Sequence, residues 1–208
     1  YRRAATVIYP PVNVDELPFV PEKEDYYLVV SRLVPYKRVD LIVEAFRHLP
    51  DKRLVVVGDG PEMKRLQKAA APNVTLLGRQ PDRVVKDLMS KARVLIIAAV
   101  EDFGIAPVEA QATGTPVIAL RRGGAVETVR SIDEEYPTGV FFEQQTSADL
   151  VQGIETFESL RGEINPADCR QNALRFQPER FRAEYQRFVF EAWASHAGER
   201  QVPDQLIV

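Results

Sequence analysis

The nine-residue segment EDFGIAPVE places carboxylates at Glu101 and Glu109, on either side of a glycine and a proline. It follows the apolar run RVLIIAAV, so we expect a buried strand to turn into a helix here. Gly104 would let the backbone approach a ligand, and Pro107 suits the first helical position. The amides of residues 103–105 would then face outward as an anion site. The segment thus predicts a binding site where acids lie beside anion-receiving amides.

A structural alternative exists for Glu109, as the third-position glutamate of a helical capping box. That box needs Ser or Thr three residues earlier, where the sequence has Ala106. This weakens the alternative, although a favourable interaction with the helix dipole of ~0.3–1 kcal/mol remains available to it.

Two basic residues form a second candidate group in SRLVPYKR, after the first apolar run of the repeating pattern. Arg32 offers a planar fork of donors and Lys37 a point charge, a combination suited to a diphosphate. A solvated basic loop would have the same composition, so both interpretations stay open at this point.

Glycines mark the remaining loops. Gly58 and Gly60 follow the second apolar run, but a dinucleotide fingerprint belongs after the first and needs glycine where Met63 stands. An NAD-type dehydrogenase is therefore disfavoured. The two glycines permit close backbone approach to a ligand or form a plain tight turn. Residues 78–82 offer free amides in a further turn, and residues 121–124 form another glycine-rich turn.

Short apolar runs alternate with amphipathic segments along the chain. Because the apolar runs are nearly continuous, we expect strands covered on both faces in a doubly wound, parallel α/β sheet of the Rossmann type. Ligands of such sheets bind at the carboxyl ends of the strands, where the candidate residues fall. Strands are predicted over 26–31, 53–58, 74–78, 93–99, 115–120 and 139–142, and helices over 39–49, 61–71, 82–92, 106–114, 147–160, 166–176 and 178–196.

Composition narrows the function classes. Lys and Arg number 27 against 30 Asp and Glu, so a net charge of −3 gives no global case for a nucleic-acid partner. The single Cys169 and two histidines argue against a disulfide framework or a Cys/His zinc site. No apolar run approaches the roughly 20 residues of a membrane span, and the N-terminus lacks a secretory apolar region. We expect a cytoplasmic location.

Taken together, the loops resemble the C-terminal half of a retaining GT-B glycosyltransferase of the group 1 (family 4) type. The resemblance covers roughly residues 26–142 in the family's order. It implies the donor-binding domain of an enzyme moving a hexose, with a lean to mannose, from GDP- or UDP-hexose to a glycan or lipid-linked acceptor with retention. Bacterial cell-envelope polysaccharide synthesis is the implied setting. The motifs are VSRLVPYKRVDLIVEAF, LVVVGDGPE, VTLLGRQPD, EDFGIAPVEAQATGTPVIA, GGAVETV and TGVFF.

The same resemblance assigns residue roles. Arg32 and Lys37 would hold the donor diphosphate and, with Glu101 on the sugar hydroxyls, form the catalytic set. Glu109 would accept hydrogen bonds from the ribose. No metal or other cofactor is implied, because cationic side chains and helix amides would neutralise the leaving diphosphate. The further donor-binding residues implied are Gly58, Gly60, Gly78, Arg79, Gln80, Phe103, Gly104 and Ile105.

Two positions depart from the family pattern. Arg38 stands where glycine usually follows the loop lysine, and Ile97-Ala98-Ala99 replaces a Pro-Ser pair often found before the first glutamate. The second change removes a hydroxyl near the donor sugar and leaves the contacts to that sugar open.

The chain begins at Tyr1 in mid-pattern, and we expect an excised fragment whose upstream partner is absent; an ordered arm or a trimmed terminus is the alternative. The resemblance implies a linker at 1–22, a donor-binding domain at 23–164, helices at 165–196 that pack toward the absent domain, and a tail at 197–208. The absent domain would carry the acceptor site, so we expect the chain alone to be inactive. Peripheral membrane association of the longer enzyme, at the inner face, is a further expectation.

Two other functions are considered. Another GT-B enzyme, such as a sugar-nucleotide epimerase or a phosphorylase, is expected to lack the combination of E-x7-E with R-x4-K. A catalytically silent sugar-nucleotide-binding module would have a start codon just before Tyr1. An upstream reading frame encoding a second strand–helix pattern would favour the enzyme.

Overall fold

A computed structural model describes residues 5–197 of the 208-residue chain. Its centre is one six-stranded sheet in the order β3-β2-β1-β4-β5-β6, with every neighbouring pair parallel. The strands are β1 (Tyr27–Val30), β2 (Leu54–Val57), β3 (Val74–Gly78), β4 (Val94–Ile97), β5 (Val117–Leu120) and β6 (Gly139–Phe142). The helices are α1 (Val39–Phe46), α2 (Met63–Ala69), α3 (Asp82–Lys91), α4 (Ile105–Ala112), α5 (Ala125–Thr128), α6 (Ser147–Leu160), α7 (Pro166–Ala173) and α8 (Pro178–Ala197).

The doubly wound parallel sheet predicted from the sequence is confirmed, including the edge strand β6. Strand order reverses between β1 and β4, which are adjacent in the sheet although two strands separate them along the chain. The loops after β1 and β4 therefore leave the sheet in opposite directions and open a crevice between them.

Alternate side chains of the strands other than β3 enter two separate cores, one on each face of the sheet. Tyr27 and Val29 of β1 join the core built with α1 and α6, while Leu28 joins the core on the other face. Ile96 and Ile97 of β4 divide in the same way. Burial on both faces explains why the central strands are apolar without interruption, whereas the edge strand β3 exposes Thr75 and Leu77 on one face.

The N-terminal segment, expected to be a linker, packs on this domain. Val12, Val14 and Leu17 are buried in a third apolar cluster with residues of α4 and the short 3-10 helix Leu174–Phe176 that follows α7. The backbone amide of Val12 also donates to the Phe176 carbonyl, at 2.8 Å. The segment is therefore held by both apolar and backbone contacts.

The two C-terminal helices differ. α7, expected to face an absent domain, instead buries Cys169 and Ala173 within this domain, and packs against α4. α8 carries large exposed side chains, among them Tyr185, Phe188 and Trp193, the last 53% exposed. Only α8 thus leaves an aromatic surface uncovered by the described residues. The domain boundaries stay predictions, and the expected tail lies from residue 198 onward outside those residues.

Among the described helices, none is both long enough and apolar enough to cross a membrane.

Candidate functional site

The loop after β1 carries both basic candidates. Buried Leu33 anchors it, and a 3-10 turn, Pro35–Lys37, leads into α1. The Lys37 side chain lies across the crevice, whereas Arg32 is exposed and its guanidinium has no hydrogen-bond or ion-pair partner within residues 5–197. The loop thus presents one fixed cation and one cation available to a ligand.

Lys37 pairs directly with Glu101, the first glutamate of the opening motif. The Lys37 Nζ and Glu101 Oε1 atoms lie 2.5 Å apart, and the two side chains are only 19% and 24% exposed. The resemblance assigns Lys37 to the diphosphate and Glu101 to the sugar of one ligand. These two side chains therefore neutralise each other across the crevice between β1 and β4.

The start of α4 lies beside this pair. The helix begins at Ile105, after Gly104 in the left-handed conformation at φ +86°, so Pro107 is its third residue and not its first as we expected. The left-handed turn, which glycine adopts readily, displaces the start of the helix. The N–H groups of the first turn have no intrahelical acceptor, and Pro107 has no N–H group. The free donors at the start of α4 are therefore the amides of Gly104, Ile105 and Ala106.

A cavity of about 500 Å³, here called the central cavity, lies between these groups, a volume typical of small-molecule sites. Its floor is apolar, formed by residues of β1, β4 and α1. Its rim brings together six of the predicted site residues: Arg32, Lys37, Glu101, Phe103, Gly104 and Ile105.

A second cavity of about 590 Å³, here called the side cavity, adjoins the first. The two share Val30, Ser31 and Arg32, so Arg32 lies at their junction. The side cavity is lined by four more predicted residues: Gly58, Gly60, Arg79 and Gln80. Of the remaining predicted residues, Gly78 and Glu109 line neither cavity.

Gly58 and Gly60 pack against the Arg32 loop, a role that the sequence left open between ligand approach and tight turn. A Cβ on Gly58 would lie 1.8 Å from the Ser31 carbonyl oxygen, and one on Gly60 would lie 2.3 Å from that of Leu33. The Leu33 amide also donates to Asp59 O at 2.9 Å. The loop after β2 therefore supports the loop that carries Arg32, and no larger residue fits between them.

Gly123 and Gly124 support the Glu101 loop in the same manner. The Gly124 amide donates to the Glu101 carbonyl at 2.7 Å, and a Cβ on Gly124 would lie 2.4 Å from the Phe103 backbone. Sequence reasoning noted this glycine-rich turn without assigning it a role. Two adjacent glycines shortly after a predicted strand were the available signal.

An aromatic cluster supports Phe103 from behind. The rings of Tyr9 and Phe176 lie 5.8 and 5.3 Å from that of Phe103, centroid to centroid, and 5.6 Å from each other. The sequence carried no signal for this cluster, because its members come from the N-terminal segment, the loop after β4 and the turn after α7.

Glu109 is the fifth residue of α4, so a capping-box role is excluded by its position. Its side chain is half-buried near the start of α3. Burial raises the pKa of the Glu109 carboxyl, Asp82 raises it further, and Lys86 opposes the shift. A carboxylate in such surroundings destabilises the folded state when it is charged.

Replacing Glu109 by Gln is expected to raise the melting temperature at pH 7. The protonated Glu109 carboxyl does not destabilise the folded state. Because the folded-state pKa of Glu109 is raised, the carboxyl becomes destabilising as the pH rises and it ionises, and Gln removes this cost. The gain in melting temperature should accordingly vanish near pH 4. Calorimetry at both pH values measures it, and a lower melting temperature at pH 7 would refute this interpretation of Glu109.

Fold and site together define a parallel α/β domain with a cationic, amide-lined site at its switch point. The sequence matches the family described as Glycosyl transferases group 1 over residues 15–176. The chain therefore belongs to the group 1 glycosyl transferases.

Individual relatives agree with this assignment. An uncharacterised glycosyltransferase of Methanocaldococcus jannaschii is 33% identical over 158 residues, which are 74% of this chain and 43% of the relative. A GDP-mannose-dependent monoacylated α-(1-6)-phosphatidylinositol monomannoside mannosyltransferase of Corynebacterium glutamicum is 37% identical over 114 residues, 48% of this chain and 30% of the relative. The chain thus spans less than half the length of these curated relatives.

Solved structures show the same fold. Anabaena HepE, crystallised with UDP and glucose, superposes with a TM-score of 0.75 at 23% identity over 89% of this chain and 57% of its own. The Rossmann-like half of the GT-B fold predicted from the sequence is thereby confirmed.

Proposed function

We propose that this chain binds the nucleotide-diphosphate sugar of a hexosyltransferase, as the donor-binding domain of a longer enzyme. The observation that carries the proposal is the Lys37–Glu101 pair at the rim of the central cavity, with Arg32 at the junction of two cavities. Cations suited to a diphosphate and a carboxylate suited to hydroxyls meet there at one point.

The geometry supports one orientation of the donor. The diphosphate would lie between Lys37, Arg32 and the amides at the start of α4, where both cations and the helix dipole favour anions. The hexose would occupy the central cavity beside Glu101. The nucleoside would extend toward the side cavity past Arg79 and Gln80, whose amide Nε2 already donates to Leu77 O at 2.7 Å.

The chemistry proposed for this site, which the family resemblance implies, is transfer with retention. The bond between the anomeric carbon and the diphosphate oxygen breaks, and the acceptor oxygen bonds to that carbon on the same face. The acceptor proton passes to the departing phosphate. Lys37, Arg32 and the helix amides would stabilise the charge that develops on the leaving group, so this scheme uses no metal. Glu101 is assigned to positioning the sugar and not to nucleophilic attack.

Mannose is the proposed hexose, supported by the GDP-mannose dependence of the Corynebacterium relative. The acceptor would be a glycan or lipid-linked sugar held by a part of the enzyme beyond this chain. That part would also cover the aromatic surface of α8, and without it we expect donor binding but no transfer.

The proposal is tested by expressing the chain with its upstream reading frame and supplying GDP-mannose, UDP-glucose and UDP-N-acetylglucosamine with a mixed acceptor pool. We expect hexose transfer, with the product's anomeric configuration equal to the donor's by NMR. An inverted product would refute retention, and donor binding without transfer would favour a catalytically silent sugar-nucleotide-binding module.

Replacing Glu101 by Gln should have opposite effects on the bare nucleotide and on the donor. Loss of a carboxylate beside the phosphate site removes a repulsion and frees Lys37, so affinity for UDP or GDP should rise about threefold to tenfold. Affinity for the nucleotide-sugar should rise less or fall, because a contact to the sugar weakens. Calorimetric titration of both ligands measures the ratio, and an equal rise for both would contradict a sugar contact.

A further inference from the structure

Arg38 occupies a backbone conformation that its side chain disfavours. Its φ and ψ are +52° and +36°, and among the non-glycine residues of the described chain only Tyr136 shares a positive φ. Glycine is the residue that adopts this left-handed geometry freely. An arginine at such a position points to a role for its side chain.

The Arg38 side chain begins a hydrogen-bonded bridge across three loops. Its Nη1 donates to Gln145 Oε1 at 3.2 Å, and Gln145 Nε2 donates in turn to the Ala98 carbonyl at 2.8 Å. Its Nε donates to Asp40 Oδ1 at 3.2 Å, which orients the guanidinium. The bridge therefore joins the loop after β1 to the loop after β4 through the loop after β6.

This bridge runs parallel to the Lys37–Glu101 pair. Arg38 adjoins Lys37 in the chain, Ala98 precedes Glu101 by three residues, and Ala98 lines the central cavity. The same two loops are thus linked twice, once at the rim by an ion pair and once behind it by neutral and charged hydrogen bonds.

The two links respond differently to a bound diphosphate. Phosphate oxygens compete with Glu101 for the Lys37 ammonium, so the ion pair loosens when the donor binds. The bridge is built from groups that line neither cavity except at Ala98, so it can persist in the bound state.

We infer that Arg38 and Gln145 are positioning residues that hold the Lys37 and Glu101 loops at the donor-binding distance once the ion pair is released. The inference rests on the proposed function and extends it to two residues outside the cavities.

The test uses the 208-residue chain with UDP and GDP as probes, titrated by calorimetry, and melting temperatures from thermal scans. Gln145→Met keeps the side-chain length and removes both hydrogen bonds. Gln145→Glu keeps an acceptor for Arg38 but cannot donate to the Ala98 carbonyl when ionised. Arg38→Gly removes the guanidinium end of the bridge, and glycine adopts the left-handed backbone conformation at this position without strain. Gln144→Met, at the exposed neighbouring position, is the control.

We expect Gln145→Met and Arg38→Gly each to weaken nucleotide binding fivefold to twentyfold, and the double variant to weaken it no further than either alone. Gln145→Glu should behave as Gln145→Met, and Gln144→Met as the parent chain. Arg38→Gly should melt at the parent temperature or above it, because glycine suits the left-handed backbone. Affinity and stability would then change independently, which a merely structural residue cannot produce.

Unchanged affinity in Gln145→Met, additive losses in the double variant, or losses that follow the melting temperature would overturn the inference. If the parent chain binds neither nucleotide, the proposed function and this inference both fail. If it binds them with a dependence on Lys37 but not on Gln145, only the inference fails.

Discussion

Lys37→Met should weaken binding of the donor diphosphate about tenfold to a hundredfold and slow transfer by the longer enzyme ~10²–10³-fold. A charge-assisted hydrogen bond contributes ~1.5–3 kcal/mol, and a preorganised donor at a developing charge contributes at least as much to rate. The Lys37 side chain is four-fifths buried, so solvent screens it little. Its loss also leaves Glu101 unpaired beside the phosphate, and the resulting repulsion adds to the effect.

Two variants separate charge from position in this experiment. Lys37→Arg keeps the charge and should retain part of the affinity. Lys91→Met removes an equal charge from the end of α3, where Lys91 pairs with Asp87 on the surface, and should leave binding unchanged. Calorimetric dissociation constants measure binding and initial rates measure transfer. Equal affinities for Lys37→Met and the parent chain would exclude Lys37 from the site.

Gly124→Ala is expected to lower the melting temperature by roughly 3–10 °C and to weaken nucleotide binding as well. The added Cβ would lie 2.4 Å from the Cα and carbonyl oxygen of Phe103, and backbone atoms cannot move aside as a flexible side chain does. Overpacking of this kind costs about 1–3 kcal/mol, and in a chain of this length each kilocalorie shifts the melting temperature by about 2–4 °C. The Glu101 loop should move, taking its carboxylate away from Lys37.

Gly162→Ala is the matched control, because a Cβ there meets nothing within 4 Å. It should change stability by no more than about 0.5 kcal/mol. Thermal scans of both variants measure the difference. If Gly124→Ala melts with the control and binds nucleotide normally, the supporting role of the glycine-rich turn is refuted.

The sheet and helices could be predicted from the sequence because most strands are buried on both faces and most helices bury one apolar side; β3 and α8 are the exceptions. β1, for example, was expected over 26–31 and occupies Tyr27–Val30. The start of α4 was displaced, because the sequence shows that glycine is present but not that Gly104 is left-handed. The packing of α7 against α4 could not be predicted, because an amphipathic pattern does not say which neighbour covers its apolar face.

Contacts across the site could not be predicted in the same way. Lys37 and Glu101 are 64 residues apart in the chain, and Arg38 and Gln145 are 107 apart. Residue types identified the first pair as ligand-binding candidates, but only the meeting of β1 and β4 in the sheet brings them into contact. The sequence showed Arg38 at a position where the resemblance implies glycine. It gave no signal that Gln145 is the hydrogen-bond partner of Arg38.

The central claim is that the Lys37 and Arg32 side chains and the start of α4 receive the diphosphate of a nucleotide-sugar. Calorimetric titration of the 208-residue chain with UDP, GDP, UMP and GMP tests it most directly. We expect at least one nucleoside diphosphate to bind saturably, about tenfold or more tighter than the matching monophosphate. The reason is that the second phosphate gains charge-assisted hydrogen bonds. Equal affinity for the monophosphate and diphosphate of each base, or no binding of any of the four, would contradict it.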